Sequence, residues 1–167
     1  MTLIKSLTPS VAVAGSITAR DLERIAGEGF ATIINFQTDD EVSATMPPPE
    51  ARALARRLGL TYVHIPVTKH ELFTDAIVER TRRALSTAKG PVLAHCASGQ
   101  RAAMVWAAAA ARSGNVDRVL ATLTAAGFNF GFLRDDLEAQ ADRGRWNGGE
   151  TLPQVVTHAD DEQFAAA

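Results

Sequence analysis

Residues 91–101 read Pro-Val-Leu-Ala-His-Cys-Ala-Ser-Gly-Gln-Arg and contain the only cysteine of the chain, Cys96. The apolar residues 91–95 predict a buried strand, and residues 102–111, which are apolar all round, predict a buried helix. The segment between them joins a strand to a helix N-terminus, where backbone N–H groups stabilise a thiolate or a bound oxyanion. This order predicts an α/β fold with Cys96 at the carboxyl end of a strand.

Strands and helices alternate along most of the chain. Thr18 and Thr74 are residues of the type that caps a helix N-terminus. The further elements predicted are strands over residues 11–14, 31–36 and 62–67 and helices over residues 19–28, 49–58, 75–88, 116–126 and 132–143. This alternation predicts a three-layer α/β sandwich, with a small, mainly parallel sheet of four to five strands flanked by helices. Ligands of such sheets bind beyond the carboxyl ends of the strands.

The composition indicates one globular domain. The chain has 167 residues, 46% of them hydrophobic and 22% charged, which is enough to bury a core without a metal or disulfide staple. We assign a catalytic domain to residues 1–143. Residues 144–167 are predicted to form a flexible tail, because the spacing of apolar residues that predicts strands and helices fades there.

The net charge and the single cysteine limit the partners and the cellular location that we expect. A net charge of −2 argues against binding to nucleic acid. No uncharged apolar run reaches the length of about 18 residues that a membrane span needs, so no membrane contact is expected. A lone cysteine cannot form an internal disulfide, and the start has no apolar signal segment. We therefore expect a cytoplasmic protein.

The residues after Cys96 suit an anion site. Arg101 offers a planar fork of donors that matches a tetrahedral oxyanion. Gly99 allows a backbone conformation that most residues resist, and Ser98 could hydrogen-bond the sulfur. We expect His95 to orient the loop by bonding backbone groups rather than to act as a base. The predicted catalytic residues are Cys96 and Arg101, supported by His95, and the predicted anion-binding loop is Ala97, Ser98, Gly99 and Gln100.

Polar residues follow the other predicted strands. Asn35 and Gln37 come at the end of the second strand and are candidates for lining the pocket. The acidic run 39–41 is more typical of a solvated loop than of a metal site, because no His or Cys joins it at ligand spacing. We expect His64 to be a packing residue within its strand. No metal or cofactor is expected.

Several segments resemble one known family. Residues 91–102 are similar to the active-site segment of the phosphatase-like domain of beta-lactamase-hydrolase-like proteins, once classed as domain of unknown function 442, of which standalone bacterial copies exist. Residues 13–17, 32–36 and 62–67 match the same family in order, and the resemblance covers about residues 3–142. It implies the fold of the dual-specificity phosphatases.

Two departures bear on the chemistry that this resemblance implies. Four residues separate Cys96 from Arg101, one fewer than in protein tyrosine and dual-specificity phosphatases, and the loop resembles that of single-domain rhodaneses, which carry sulfur as a cysteine persulfide. Dual-specificity phosphatases also place an Asp general acid where this chain has Lys69. His70, Glu71 and Asp75 are the residues that could substitute for that acid.

These observations predict a cysteine-dependent sulfurtransferase that moves sulfane sulfur through a Cys96 persulfide. The alternative is a phosphatase that works through a Cys96 phosphocysteine. A third possibility is a redox-sensing or anion-binding domain with a readily deprotonated thiol and weak catalysis. The expected partners are a small anionic substrate (thiosulfate, a persulfide or a phosphate ester) and an acceptor thiol, which a protein could supply.

Overall fold

A computed structural model describes residues 1–41 and 45–148. It contains one five-stranded sheet with the strand order β1-β2-β5-β3-β4. The strands are β1 (Ile4–Thr8), β2 (Val11–Ala14), β3 (Thr32–Asn35), β4 (Thr61–His64) and β5 (Val92–His95). The predicted α/β fold with a small, mainly parallel sheet is confirmed.

Helices cover both faces of this sheet. They are α1 (Ala19–Gly27), α2 (Pro48–Arg57), α3 (Asp75–Ser86), α4 (Gln100–Ala111), α5 (Val116–Ala125) and α6 (Arg134–Gly148), with a short 3₁₀ turn over Gly131–Leu133. None of the helices within the described residues combines the length and the apolar character needed to cross a membrane.

The register of the sheet brings four strand ends into one row. β2, β5, β3 and β4 are parallel, and Ala14, His95, Asn35 and His64 lie side by side across them. Because the carboxyl ends of parallel strands meet at one edge of a sheet, the segments that follow these residues are neighbours. Cys96 directly follows His95 and therefore lies at this edge, where ligands of parallel sheets bind.

Strand β1 is the one strand whose position the sequence does not reveal. It pairs antiparallel with β2, and its register is irregular between Ser6 and Thr8. Its sequence contains the polar residues Lys5 and Ser6, and only Leu7 of the strand is buried. An edge strand with so few buried side chains lacks the alternating apolar pattern by which strands are identified.

Successive residues of the central strands face opposite layers, as the two-residue period of a strand requires. Ile34 and Ala94 pack in a core that includes side chains of α3, α4, α5 and α6. Ile33 and Leu93 pack in a second core with side chains of α1 and α2. The four side chains are at most 2% exposed. The double-sided burial explains why these strands read as continuous apolar runs.

The two predicted helix caps behave differently. Thr18 forms a capping box with Asp21: the Thr18 hydroxyl accepts from Asp21 N–H, and the Asp21 carboxylate accepts from Thr18 N–H. Thr74 precedes α3 but makes no side-chain capping bond, because its hydroxyl donates to the Glu71 carbonyl instead. Thr74 therefore occupies the predicted N-cap position, but its side chain does not cap the helix.

Helix α6 continues beyond the predicted domain boundary. Its last residue is Gly148 rather than Arg143, so residues 144–148 belong to the helix. A Cβ atom built on Gly144 would lie 1.8 Å from the Arg112 carbonyl oxygen, which shows how closely α6 packs against the end of α4. The rest of the predicted tail, residues 149–167, lies outside the described residues.

Arg112 ties three helices together at this end of α4. Its side chain is 1% exposed, and its Nε donates to Gln140 Oε1 of α6 at 2.7 Å. Its two terminal nitrogens donate to Glu79 Oε1 at 3.0 Å and to Asp75 Oδ1 at 2.5 Å, both on α3. A buried guanidinium with all its groups paired is a structural element of the fold.

Candidate active site

Cys96 is 1% exposed and begins the loop between β5 and α4. Its N–H donates to the Ala14 carbonyl of the neighbouring strand at 3.3 Å. Its Sγ accepts a hydrogen bond from the Gly99 N–H at 3.2 Å. The contact predicted from Ser98 is instead made by this amide, and the Ser98 side chain is exposed.

Gly99 is held in the left-handed region, with φ of 87°, and directly precedes the first residue of α4. Only glycine adopts this conformation without strain. The turn directs the Gly99 N–H back to the sulfur and places the sulfur beside the N-terminus of a twelve-residue helix. The positive end of that helix attracts an anion bound at this position.

Arg101 is fixed by three oxygen atoms. Its Nη1 donates to the Phe36 carbonyl at 3.0 Å, to the Val67 carbonyl at 3.0 Å and to Glu41 Oε1 at 2.5 Å. Within residues 1–41 and 45–148, its Nε and Nη2 make no hydrogen bond. Nη1 therefore bonds to the protein, whereas Nε and Nη2 keep N–H groups that can donate to an anion.

Glu41 is a residue whose role the sequence interpretation missed. We predicted that the acidic run 39–41 is a solvated loop, but the Glu41 side chain is only 18% exposed and pairs with Arg101. Burial alone would raise the pKa of Glu41, but hydrogen bonds from Arg101 and Thr38 outweigh it and lower the pKa to about 2. Glu41 is therefore ionised at neutral pH and offsets part of the charge of Arg101.

His95 is 3% exposed, and neither ring nitrogen has a hydrogen-bond partner among the described residues. The prediction that its ring bonds backbone groups of the loop stays a prediction: the ring is close enough to the Cys96 backbone to be affected by it, but no hydrogen bond of standard geometry forms within the described part of the chain. Burial lowers the pKa of His95 from 6.5 to about 4, and the backbone of Cys96 offsets only part of this effect. The ring is therefore neutral at physiological pH.

This burial predicts a specific loss of stability in mild acid. Between pH 6.5 and about 4 the unfolded chain binds a proton at His95 that the folded protein does not, so the free energy of unfolding falls as the pH falls through this window. The shift corresponds to about 3 kcal/mol. Chemical denaturation of wild type and His95→Gln at several pH values should show a flatter profile for the variant.

The exposed His70 provides the matched control for this measurement. His70→Gln should keep the wild-type slope between pH 6.5 and 4. An equal slope in wild type and His95→Gln would contradict the assignment. Glu41 and Asp21, each with a pKa lowered to about 2, lose their stabilising ionisation below their ordinary pKa values of 4.5 and 3.8, so the slope above about pH 5 is free of their contribution.

Asn35 and Gln37 form a buried network rather than an open pocket wall. Each is 4% exposed. Asn35 Nδ2 donates to the Tyr62 hydroxyl at 2.9 Å, and Asn35 Oδ1 accepts from the Gln37 N–H at 2.8 Å. The Gln37 side chain donates to Ser16 Oγ at 3.1 Å, and its carbonyl accepts from His64 Nε2 at 2.8 Å. Both residues therefore stabilise the edge of the sheet.

Two of the predicted substitutes for a general acid are held by other contacts. Asp75 binds Arg112, which lies eleven residues beyond Arg101 and thus about 16 Å further along α4. Glu71 is exposed, and hydrogen bonds from the Thr68 hydroxyl and backbone lower its pKa. His70 is exposed on the same loop. A general acid needs a raised rather than a lowered carboxyl pKa.

A groove of about 720 Å³ adjoins the Arg101–Glu41 pair. His64, which we predicted to be a packing residue, also faces this groove with its side chain 13% exposed. The lining residues, of mixed charge, are Asp39, Glu41, Pro47, Pro48, Pro49, Arg52 and His64. The groove touches Glu41, the partner of Arg101, but neither Cys96 nor Arg101 is among its lining residues.

Metal chemistry finds no support in the part of the chain that the structure describes. No group of three or more His, Cys, Asp or Glu side chains there is arranged to hold an ion.

Known proteins resemble this chain, some in sequence and some in fold. A beta-lactamase hydrolase-like protein of Xylella fastidiosa is 34% identical over 140 residues, which cover 83% of this chain. A relative of the same description from Agrobacterium fabrum is 29% identical over 106 residues, or 64% of this chain. The matched region is 32% of the Xylella protein, so this chain spans about a third of the length of such relatives.

The solved structures that resemble this fold are of phosphatase type. A candidate phosphatase from Neisseria meningitidis superposes with a TM-score of 0.70 at 29% identity, covering 82% of this chain and 97% of that one. Human DUSP28 superposes with a TM-score of 0.61 at 21% identity, covering 86% and 97%. The second match supports the fold alone, because its identity is low.

These relatives support the phosphatase alternative better than the predicted sulfur transfer, which none of them shows. They confirm the resemblance drawn from residues 91–102. The model of the phosphatase-like domain of beta-lactamase hydrolase-like protein matches residues 3–113. The chain therefore belongs to this phosphatase-like domain family.

Proposed function

We propose that the chain is a sulfurtransferase in which Cys96 carries sulfane sulfur as a persulfide. The observation that carries the proposal is the short loop, with four residues between Cys96 and Arg101. A loop with one amide fewer than that of a phosphatase forms a tighter cradle. The terminal sulfur of a persulfide is a single atom and needs less room than a phosphoryl group.

The surroundings of Cys96 support the same proposal. Hydrolysis of an alkyl phosphate requires a proton for the leaving alkoxide, and the Glu71 and Asp75 carboxylates are held elsewhere by Thr68 and Arg112. Sulfite and thiolates leave without such a proton. Sulfur transfer therefore depends less than phosphate-ester hydrolysis does on a proton donor at this site.

The proposed reaction is balanced without a cofactor. The Cys96 thiolate attacks the outer sulfur of thiosulfate, so a sulfur–sulfur bond forms to Sγ while the original sulfur–sulfur bond breaks. Sulfite leaves with the bonding electron pair, held until then by Arg101 and the loop amides. An acceptor thiolate then attacks the outer sulfur of the persulfide, and Cys96 leaves as a thiolate.

A second candidate function is phosphate-ester hydrolysis through a Cys96 phosphocysteine. It is supported by the phosphatase-like family and by the 29% identical candidate phosphatase of Neisseria meningitidis. In this reaction Cys96 attacks phosphorus, the alcohol leaves, and water then releases phosphate. An aryl phosphate would be the favoured substrate, because a phenolate leaves more readily than an alkoxide.

Intact mass spectrometry separates these candidates. After incubation with thiosulfate, we expect the protein to gain one sulfur, about 32 Da, as a thiol persulfide. Since Cys96 is the only cysteine, Cys96→Ser is a complete control and should gain nothing. Cyanide should then remove the sulfur as thiocyanate and restore the original mass.

Two other outcomes would overturn the proposal. No sulfur uptake together with Cys96-dependent release of phosphate from an aryl phosphate would establish the second candidate. Neither activity, together with selective oxidation of Cys96 by dilute peroxide, would indicate a redox-sensing domain.

A further inference from the structure

The turn that follows β2 touches the Cys96 loop at three points. We define the β2 turn as Ala14, Gly15 and Ser16. The Cys96 N–H donates to the Ala14 carbonyl at 3.3 Å, and the Ser16 N–H donates to the Ala97 carbonyl at 3.1 Å. A Cβ atom on Gly99 would lie 3.3 Å from the Ala14 carbonyl group, so the two backbones are in close contact.

The second of these contacts fixes the direction of a peptide group. No cis peptide bond occurs in the described part of the chain, and in a trans peptide the carbonyl and the following N–H point in opposite directions. Because Ser16 holds the Ala97 carbonyl on the side of the β2 turn, the Ser98 N–H points away from that turn. Within the described residues, the Ser98 N–H has no acceptor in the protein.

The β2 turn is itself held by the buried network described above. Gln37 Nε2 donates to Ser16 Oγ at 3.1 Å. The backbone of Gln37 is fixed on both sides, since its N–H bonds Asn35 and its carbonyl bonds His64. A buried network with all these bonds formed is rigid, so Ser16 has a defined position before a ligand binds.

We propose that Gly15 and Ser16 are positioning residues that orient the Ala97–Ser98 peptide, so that the Ser98 N–H donates to the anion bound at Cys96. This inference rests on the proposed use of the Cys96 loop as an anion site, whether the group transferred is sulfur or phosphoryl. The β2 turn adds no group of its own to the reaction. It acts through the direction of one amide.

Gly15 is the residue at which this role can be tested sterically. Its φ lies outside the left-handed region, so alanine is allowed there by the backbone. A Cβ atom would nevertheless lie 3.1 Å from the Ala97 carbonyl oxygen and 3.7 Å from the Ser98 carbonyl carbon. Gly15→Ala must therefore displace the carbonyl whose direction sets that of the Ser98 amide.

Anion binding gives the direct test, with tungstate as an inert tetrahedral probe measured by calorimetry. Loss of one hydrogen bond to a charged group should raise the Kd of Gly15→Ala at least about tenfold. The melting temperature should stay close to that of wild type. Gly131→Ala is the matched control, because Gly131 has no atom within 4 Å of the added methyl group and no positive φ.

Two further measurements keep the test decisive. In wild type the amide resonance of Ser98 should shift when tungstate binds, and this shift should be lost in Gly15→Ala. Ser16→Ala keeps the backbone donor but loses the Gln37 contact, so it should weaken binding only about threefold. This smaller change tests the proposal even if Gly15→Ala fails to fold.

The outcomes distinguish this proposal from the one on which it rests. If wild type binds tungstate and Gly15→Ala binds it equally well, the positioning role is overturned while the anion site stands. A Ser98 resonance that does not respond to bound tungstate has the same meaning. If wild type binds neither tungstate nor the smaller sulfate ion, both the anion site and the positioning role are overturned.

Discussion

Arg101→Ala should lower kcat/KM for sulfur transfer from thiosulfate to cyanide by about two to three orders of magnitude. Removal of a preorganised donor from the site of a developing or bound anion costs this much in other enzymes. Arg101 is the second residue of α4, the helix that begins directly after the Cys96 loop, and its Nε and Nη2 make no hydrogen bond within the described residues. Steady-state kinetics with purified variants measures the effect.

Two variants separate the binding role of Arg101 from its structural role. Arg101→Lys keeps a positive charge but cannot reach the Phe36 and Val67 carbonyls and an anion together, so we expect an intermediate loss. Glu41→Gln removes the partner carboxylate while an amide oxygen still accepts from Arg101. Because a negative charge is then absent from the site, the anion should bind as tightly as in wild type or more tightly.

The result that would contradict this view is an equal loss in Arg101→Ala and Glu41→Gln. Both variants break the ion pair between Arg101 and Glu41, but only the first removes the donors available to an anion. Equal losses would mean that the ion pair itself supports activity by holding the loop of Glu41.

Gly144→Ala should lower the free energy of unfolding by about 3 kcal/mol. The added Cβ would lie 1.8 Å from the Arg112 carbonyl oxygen and 2.9 Å from its Cα, and both are backbone atoms that cannot rotate away. Helix α6 must therefore move away from α4, which disturbs the bonds of the buried Arg112 to Gln140. Urea denaturation followed by circular dichroism measures the change.

Gly27→Ala is the matched control for this prediction. Gly27 is the last residue of α1, and a methyl group there meets no atom within 4 Å. Since alanine favours a helix over glycine, this variant should be up to about 1 kcal/mol more stable than wild type. Equal effects of the two substitutions would show that α6 is not packed against α4 as described.

The sequence predicts the elements that bury apolar residues on a regular pattern. Residues 31–36 and 91–95 are mostly apolar and contain two of the three interior strands, β3 and β5, and Thr18 caps α1 as its side chain suggests. These features depend on neighbours in the chain, so they are visible in the sequence alone. The position of Cys96 follows from the same local order of strand, loop and helix.

The parts that escape prediction depend on contacts between distant residues. Glu41 and Arg101 are sixty residues apart, and nothing near Glu41 distinguishes it from the other carboxylates of its loop. Asp75 is held by a hydrogen bond from Arg112, which lies thirty-seven residues away in the sequence. Helix α6 extends past Arg143 because it packs against the end of α4, a contact to which Gly144 gives access. Gly144 itself, a glycine within a helical pattern, is the sequence signal that could have indicated this close contact.

The fixed guanidinium of Arg101 has a consequence for the thermodynamics of ligand binding. A free arginine side chain loses up to about 2 kcal/mol of rotamer entropy when it is immobilised. Here the Phe36 and Val67 carbonyls and Glu41 already immobilise it, so this loss occurs during folding. Association with a small anion should therefore carry little entropic penalty from the protein, and even a ligand of few atoms can be retained long enough to react.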